Sequence, residues 1–334
     1  MAKKLVTEKI VNKSGIHISK GKLEVLKQQN FIALTDSVGG DAPKDVIRVY
    51  EYGKARKDNP KKWPKHIAKI GHKWYPNESI TEHYLTYVGK SFGIEIANSK
   101  VVFAENYVRF LSEHFHTDEQ ELIHGANILS RFIRESNNDW IDKMDKDKSL
   151  RGEVNIIDVI NAITDIFPKK NESIIENLIH MILFDALIGN NDRHYYNWGV
   201  IKHIKNKHEP YFSPVYDTAR GLFWNNYDNF VVDLHKKRGD PNNKKLENYL
   251  KKSSPKISVP ENANCNHFEL IEYLKNNDYI TINHTERWTN KEGLQKATLV
   301  LNTVFKHLFV EERRVMIEKV LNLRFNKLVQ ILEN

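Results

Sequence analysis

The chain has 334 residues, 40% of them hydrophobic and 28% charged, which is the composition of an ordinary globular protein long enough for one large domain or two lobes. It has no apolar run long enough to span a membrane and no secretory signal, so we expect a cytoplasmic protein. The net charge of +8 attracts polyanions such as nucleic acids. However, the sequence contains no dense arginine patch with interleaved aromatic residues, so direct nucleic-acid binding is not indicated. The single cysteine, Cys265, excludes an internal disulfide and a cysteine-rich zinc site.

The first third of the chain predicts a small antiparallel sheet with one helix packed on it. Strand-like runs begin at Phe31, Asp45 and His66, and a turn-forming stretch at 37–43 separates the first two. From 77 to 92 apolar residues recur every four positions, which predicts a helix. Its apolar face consists of Ile80, Tyr84, Val88 and Phe92.

The rest of the chain is mostly helical by its hydrophobic pattern. A strand beginning at Ser99 leads into Tyr107–Phe115, where we place the boundary between a first lobe, 1–115, and a second lobe, 116–334. Two polar segments, 137–152 and 236–260, are typical of surface loops. Helical patterns cover 118–136, 153–166, 173–188 and about 291–333, and short apolar runs begin at Trp198 and Tyr211.

Polar residues gather at Gly189–Asn197, between an apolar helical pattern and a short apolar run. Asp192 and Asn197 have the spacing of the catalytic base and the metal-binding amide in the catalytic loop of kinases. The carboxylate would face the acceptor hydroxyl, and the amide oxygen would face the metal. Taken alone, such a cluster of Asn, Asp and Gly equally suits a helix cap and turn.

A second acid favours the kinase interpretation. Asp217 follows the next apolar run, and two strands flanking a catalytic loop would place it beside Asn197 as a second magnesium ligand.

Two upstream residues fit the same scheme. Lys69 lies in a predicted strand, and Glu82, in the helix that follows, could form the ion pair that fixes the phosphate-binding lysine of kinases. Each is a weak signal alone, because a strand lysine is usually solvated and Glu82 lies off the apolar face of its helix.

The turn at 37–41 could cover phosphates with its backbone N–H groups, but it matches neither a Walker A sequence nor G-x-G-x-x-G and also suits an ordinary hairpin. Fifteen histidines include no H-E-x-x-H pair, and no G-x-S-x-G elbow occurs, so zinc-enzyme and serine-hydrolase chemistry have no support.

These residues resemble the HipA-like serine/threonine kinases of bacterial toxin-antitoxin systems. The resemblance runs from about Ser37 to the C-terminal helices and rests on SVGGDAPK, PKHIAKIG, NESITEHYLTYVGKSFGI, LIGNNDRHYYNWGV and PVYDTARGL. It implies an α+β, bilobal protein-kinase-like fold with a small β-rich lobe and a larger helical lobe. It also implies an ATP- and Mg²⁺-dependent serine/threonine protein kinase.

The resemblance assigns a role to each matched residue. Asp192 activates the acceptor hydroxyl, Asn197 and Asp217 bind magnesium, Lys69 contacts phosphates, and Glu82 positions Lys69. The remaining nucleotide-binding residues are the loop Ser37, Val38, Gly39 and Gly40, the adenine-contacting Arg109, Phe110 and Leu111 at the start of a hinge 109–115, and His194. Ser37 is also the predicted autophosphorylation site, at which phosphate would move the loop and stop the kinase.

Only a short segment precedes the loop, whereas family members often carry an additional N-terminal subdomain, so we expect the kinase core alone. A protein substrate with a Ser or Thr acceptor is implied, together with an antitoxin or small regulatory partner and a toxin or phage-defence role. Two alternatives stay open. One is a phosphoinositide-type lipid kinase, because Asp192-Arg193-His194 before Asn197 also resembles the catalytic loop of those enzymes. The other is a non-catalytic nucleotide-binding module. A nucleic-acid-binding protein would rest on charge alone.

Overall fold

The computed structural model describes residues 5–6, 10–35, 42–134, 139–147, 150, 152–240 and 243–334. The strands are β1 (Glu24–Val25), β2 (Phe31–Ala33), β3 (Lys44–Val49), β4 (Lys65–Lys69), β5 (Ser99–Ala104), β6 (Tyr107–Glu113), β7 (Gln120–His124), β8 (Gly199–His203) and β9 (Tyr211–Phe212). The helices are α1 (Asn77–Ser91), α2 (Gly125–Phe132), α3 (Asp139–Lys146), α4 (Ile156–Ile166), α5 (Asn171–Ile188), α6 (Asp228–Lys236), α7 (Lys244–Lys252), α8 (His267–Asn276), α9 (Ile282–Thr289), α10 (Lys291–Thr303) and α11 (Glu311–Glu333).

The first sheet has the strand order β1-β5-β6-β4-β3-β2. Four of its pairings are antiparallel, which confirms the antiparallel arrangement predicted for β2, β3 and β4. The strand β1 was not predicted, and it pairs with β5 in parallel. Alternation along β4 sends Ala68 into a core on one face and Lys69 to the opposite face. The sheet therefore separates a closed, largely apolar face from the face that carries Lys69.

Helix α1 lies between this sheet and the C-terminal helix α10, and nearly all of its residues are buried. Phe305, just after α10, packs against the rings of His83, Tyr84 and Tyr87 at centroid distances of 5.4, 5.2 and 5.8 Å. Because both sides of α1 are covered, Glu82 is only 1% exposed, although it lies off the apolar stripe. The alternative of a solvent-facing Glu82 is wrong.

The second sheet, β7-β8-β9, corrects the predicted helix at 118–136. Residues 120–124 form a strand because they pair along β8, with Ile123 opposite Val200, and the helix begins only at Gly125. A Cβ at Gly125 would overlap the ring of Trp198, so only glycine fits where the strand turns into the helix.

Short polar helices account for most of what the sequence prediction missed. The predicted loops 137–152 and 236–260 contain α3 and α7, and α6, α8 and α9 were not predicted. Helix α7 buries only Leu246 and begins with the Asn243 side chain accepting a hydrogen bond from the Leu246 N–H. The predicted C-terminal helix is interrupted between Thr303 and Glu311, which separates α10 from α11.

The main hydrophobic core joins α1 and part of the first sheet to the C-terminal helices. No described helix combines the length and apolar character needed to cross a bilayer. The division into lobes at 115 and 116 remains a proposal. It falls in the connection between the last strand of the first sheet and the first strand of the second.

Candidate active site

Three charged residues from distant parts of the chain meet at the end of β4. Lys69 Nζ lies 2.8 Å from Glu82 Oε2 on α1 and 2.8 Å from Asp217 Oδ1, which follows β9. Glu82 is enclosed, whereas the side chain of Asp217 is 34% exposed. Asp217 has a left-handed backbone, with φ of 52°, which is uncommon for a residue with a side chain and typical of functional sites.

The electrostatics of this cluster follow from one lysine facing two carboxylates. Despite burial, Asp217 and Glu82 raise the pKa of Lys69, so the ammonium stays charged. Burial opposes the charge of Asp217, but Lys69 outweighs it and holds the pKa of Asp217 well below its ordinary value. Burial raises the pKa of Glu82 to about 7, although Lys69 acts in the opposite direction. Asp217 is thus the carboxylate that stays ionised at the open side of the cluster.

The polar loop begins where α5 ends. Gly189 caps the helix in a left-handed conformation with φ of 67°, which glycine adopts without strain. Asn190 then turns inward, its side chain donating to Asp185 Oδ1 at 2.9 Å and its carbonyl contacting His267 Nε2 at 2.7 Å. These contacts anchor the start of the loop to α5 and α8.

Arg193 organises the rest of the loop. Its guanidinium, 2% exposed, forms two hydrogen bonds with Asp185, of 2.7 and 2.9 Å. It also donates to the carbonyls of Asn197, at 2.7 Å, and Tyr216, at 2.6 Å. Arg193 therefore ties the end of the loop to the residue before Asp217. Sequence reasoning missed this role, although the pairing of an inward-facing acid on α5 with an arginine between Asp192 and Asn197 was a usable signal.

Asp192 lies next to a second arginine. Its Oδ1 accepts a hydrogen bond of 2.9 Å from Arg220, whose guanidinium also stacks over Trp224 at 5.3 Å. Burial raises the pKa of Asp192, while Arg220 acts against that shift. The backbone of Arg220 is fixed by the N–H of Asn191, which donates to its carbonyl at 3.3 Å.

The oxygen donors of Asp217 and Asn197 are of the kind that suits Mg²⁺. The Asn197 side-chain nitrogen donates to the Asp192 carbonyl at 2.9 Å, which leaves the amide oxygen for another partner. Among the described residues no group of three or more His, Cys, Asp or Glu side chains could hold a metal. Mg²⁺ is commonly bound by one or two protein oxygens together with substrate phosphates and water, so a pair of oxygen ligands fits it.

The structure brings together five of the predicted residues, namely Lys69, Glu82, Asp192, Asn197 and Asp217. His194 lies in the same loop and is close enough to help lower the pKa of Asp217. The predicted phosphate loop, Ser37, Val38, Gly39 and Gly40, lies outside the described residues.

The predicted adenine contacts of Arg109 and Leu111 are corrected. Both lie inside β6, and Leu111 joins the closed apolar core on the sheet face away from Lys69. Arg109 is fully buried and donates to the Val6 carbonyl at 3.2 Å. Only Phe110 faces the site, with its ring 5.7 Å from Lys69 Nζ. The chain crosses between the two sheets after β6, at 114–119.

Comparison with known proteins identifies the family. Residues 36–272 match the HipA-like C-terminal domain. The chain belongs to this HipA-like family. Helicobacter pylori serine/threonine-protein kinase CtkA is 24% identical over 155 residues, which are 45% of this chain and 42% of that relative. The match thus spans less than half of the curated relative.

Solved structures give the fold of the HipA-like chain. The crystal structure of the Helicobacter pylori proinflammatory kinase CtkA superposes with a TM-score of 0.69 at 15% identity, covering 89% of this chain and 92% of that one. Shewanella oneidensis HipA, from a complex with HipB and operator DNA, gives a TM-score of 0.44 at 14% identity, covering 90% and 65%. The superposition on CtkA, together with the family match, confirms the predicted α+β fold of the HipA-like type.

Proposed function

We propose that the chain is an ATP-dependent kinase that transfers the γ-phosphoryl group to a serine or threonine hydroxyl of a protein. The observation that carries this proposal is Lys69 held between Glu82 and Asp217, with Asp192 and Asn197 on the adjoining loop. Phosphoryl transfer needs a phosphate-binding cation, a buried acid that fixes it, two oxygen ligands for magnesium and a base for the acceptor hydroxyl.

Each residue has a task that follows from its surroundings. Lys69 stays charged and would offer its ammonium to nucleotide phosphates. Glu82, which is buried on α1, keeps the Lys69 side chain in place. Asp217 stays ionised and, with the amide oxygen of Asn197, would hold Mg²⁺. Bound Mg²⁺ neutralises phosphate charge and orients the γ-phosphoryl group. Asp192 would accept the proton of the acceptor hydroxyl as the new P–O bond forms and ADP leaves.

Arg220 extends this set. Its guanidinium faces the carboxylate of the proposed base and is 28% exposed, so it can be reached from solvent. In that position it would orient Asp192 and offer a further N–H donor to the transferring phosphoryl group, whose charge grows on its outer oxygens.

Incubation with radiolabelled ATP and Mg²⁺ tests the proposal against the lipid-kinase alternative. Parallel reactions contain a mixture of unfolded Ser/Thr-rich proteins or phosphoinositide vesicles, and an Asp217→Ala variant provides the background. Label on protein that is absent with the variant supports a protein kinase, and label on lipid alone favours the alternative. Nucleotide binding without any transfer would leave the non-catalytic module.

The finer parts of the function rest on the family resemblance. A toxin or phage-defence role, a small antitoxin-like partner and a cytoplasmic location stay predictions. Autophosphorylation of Ser37 is also a prediction. Its phosphate would add about −1.5 to −2 charges to the loop proposed to cover the ATP phosphates, and the repulsion between like charges would move the loop away from the nucleotide. Mass spectrometry after incubation with Mg-ATP tests this last point. An unmodified Ser37, or a modified Ser37 in fully active enzyme, would contradict it.

A further inference from the structure

A cavity of about 300 Å³ opens on the second sheet, away from the residues assigned to phosphoryl transfer. It lies where β7 and β8 meet α2, the end of α4 and the residues before β9. Its volume is at the lower end of the range for ligand-binding cavities. It therefore has room for a side chain or a short peptide segment.

The floor of the cavity is apolar and firmly held. Ile128 and Phe167 are 1% and 6% exposed and belong to the main core, so the floor cannot easily collapse. Ile123 and Ile166 pack on that core but stay partly exposed to solvent. Covering such apolar surface is favourable by about 25 cal/mol per Å², which gives an entering aliphatic side chain a reason to bind.

The lining is strongly basic. Arg131 on α2, Lys169 and Lys170 after α4, and Lys202 on β8 face one lining carboxylate, Glu209. Within the described part of the chain, no carboxylate pairs with any of these four cations. Positive charge from three elements thus converges on one apolar cavity, where Glu209 is the single lining carboxylate and pairs with none of the four cations.

We propose that this cavity docks an acidic segment of a partner protein that inserts one aliphatic or aromatic side chain. The apolar floor would bind the inserted side chain. The unpaired cations around it would attract the acidic residues on either side of that side chain, by charge complementarity. A nucleic acid would supply the negative charge but has no aliphatic side chain to fill the concave apolar floor. A peptide therefore fits the cavity better than a nucleic acid does. The proposal concerns binding only and does not depend on phosphoryl transfer.

The cavity has a direct structural link to the candidate active site. Ile123 in its floor precedes His124, whose Nδ1 lies 3.0 Å from the hydroxyl of Tyr216, and Tyr216 precedes Asp217. A segment held here would be bound to the same sheet that supports the metal-binding acid. This position suits a substrate or a regulator of the site.

Peptide display on the intact protein tests the docking site. A random peptide library is selected on the wild type, and the enriched peptides are synthesised with a fluorophore for anisotropy titrations. We expect enriched sequences with net negative charge and at least one Leu, Ile, Phe or Met. Added salt should weaken their binding. Enrichment of neutral or basic peptides, or no enrichment, would overturn the proposal.

Charge-reversal variants locate the binding. Lys169→Glu/Lys170→Glu changes two exposed cavity residues, and Lys61→Glu/Lys62→Glu makes the same charge change at exposed positions before β4. We expect the cavity variant to weaken peptide binding by about tenfold or more and the control by less than about twofold. Equal losses in both variants, or competition by single-stranded RNA in the wild type but not in the cavity variant, would refute peptide docking. Unchanged thermal unfolding of both variants excludes a folding defect.

Discussion

At the scale of single residues, the carboxylate of Asp192 is held by Arg220, which belongs to the segment following Asp217. Two backbone hydrogen bonds fix this segment against the end of α5 and the loop, from Leu222 N–H to the Ile188 carbonyl at 3.0 Å and from Asn191 N–H to the Arg220 carbonyl. Gly221 lies close to Ile188, where an added Cβ would be 2.9 Å from the carbonyl oxygen. Because this backbone is fixed, the guanidinium of Arg220 is held in a defined position next to Asp192.

Replacing Arg220 by Gln should therefore affect turnover more than nucleotide binding. We expect kcat to fall by roughly ten- to a hundredfold, because a donor near the transferring phosphoryl group is lost, while the Kd of Mg-ATP changes less than about twofold. Arg220→Lys should restore part of the rate. The matched control is Arg56→Gln at a site 84% exposed. Equal losses in kcat and in nucleotide affinity would contradict this role.

Asp217 should be needed for binding of the nucleotide with its metal. Asp217→Asn removes the charged ligand but keeps the shape, so we expect Mg-ATP affinity to fall by about tenfold and more magnesium to be required. Calorimetric titration with ATP at several Mg²⁺ concentrations measures both effects. Asp58→Asn, at an exposed position, is the control. Affinity that stays unchanged at millimolar magnesium would contradict the assignment.

Part of the site could be predicted because its residues follow fixed spacings. Asp192 and Asn197 lie in one loop, and Asp217 follows the second of the two strands after it, so a short stretch of sequence determined their proximity. Arg220 could not be found this way, since its pairing with Asp192 is set by how the segment after Asp217 packs against the loop. Arg109 was misplaced because a long polar side chain inside a strand gives no sign of which sheet face it occupies.

At the scale of elements, α1 is fixed from two sides. The sheet covers one side, and α10 with Phe305 covers the other, so Glu82 cannot leave Lys69 without disturbing the C-terminal helices. Phe92 at the end of α1 stacks on Trp288, with ring centroids 5.1 Å apart. The ion pair at the site is thus maintained by packing far along the chain.

Phe305→Ala should measure this support. The fully buried ring contacts three rings of α1, so its removal should lower the free energy of unfolding by about 3–5 kcal/mol. Leu299→Ala on α10, at a position 63% exposed, should change it by less than about 0.5 kcal/mol. Chemical denaturation compares the two, and similar losses would show that Phe305 does not hold α1.

The strands and long helices could be predicted since their apolar periodicity is set locally. Helix α5, predicted at 173–188, forms Asn171–Ile188, and the helix predicted at 77–92 forms Asn77–Ser91. The strand β7 was mistaken for helix because its stability comes from pairing with β8, which is distant in sequence. The short helices α7 to α9 begin with side-chain caps, and α6, without such a cap, buries only Val231 and Leu234, so none of the four has a long apolar stripe.

At the scale of the whole molecule, buried histidines contribute to the response of stability to acid. Burial lowers the pKa of His83 to about 4 and those of His180 and His267 to about 3. The unfolded chain takes up protons near the ordinary value of about 6.5, whereas the folded protein does not. Stability is therefore present above that value and is lost as the pH falls from about 6.5 toward these lowered pKa values, by up to about 1.4 kcal/mol per pH unit for each histidine.

His267→Gln should reduce this acid sensitivity while keeping a donor for the Asn190 carbonyl. We expect the loss of stability between about pH 6.5 and 4.5 to be smaller than in the wild type by up to about 2.7 kcal/mol. Urea denaturation across that range measures it, with His17→Gln at an exposed position as the control. A slope identical to that of the wild type would contradict a neutral, buried His267.

The central claim, that these residues form a phosphoryl-transfer site with Asp192 as its base, is tested most directly by Asp192→Asn. The variant keeps Lys69, Asn197 and Asp217, so the nucleotide should bind within a few-fold of the wild-type Kd. It lacks the carboxylate proposed to accept the hydroxyl proton, so transfer of label from ATP to a protein acceptor should fall by at least about a hundredfold. The decisive measurement is the transfer rate at saturating Mg-ATP, taken beside the Kd of the same preparation. Lost transfer with retained binding is the predicted result, and transfer at the wild-type rate would contradict the account.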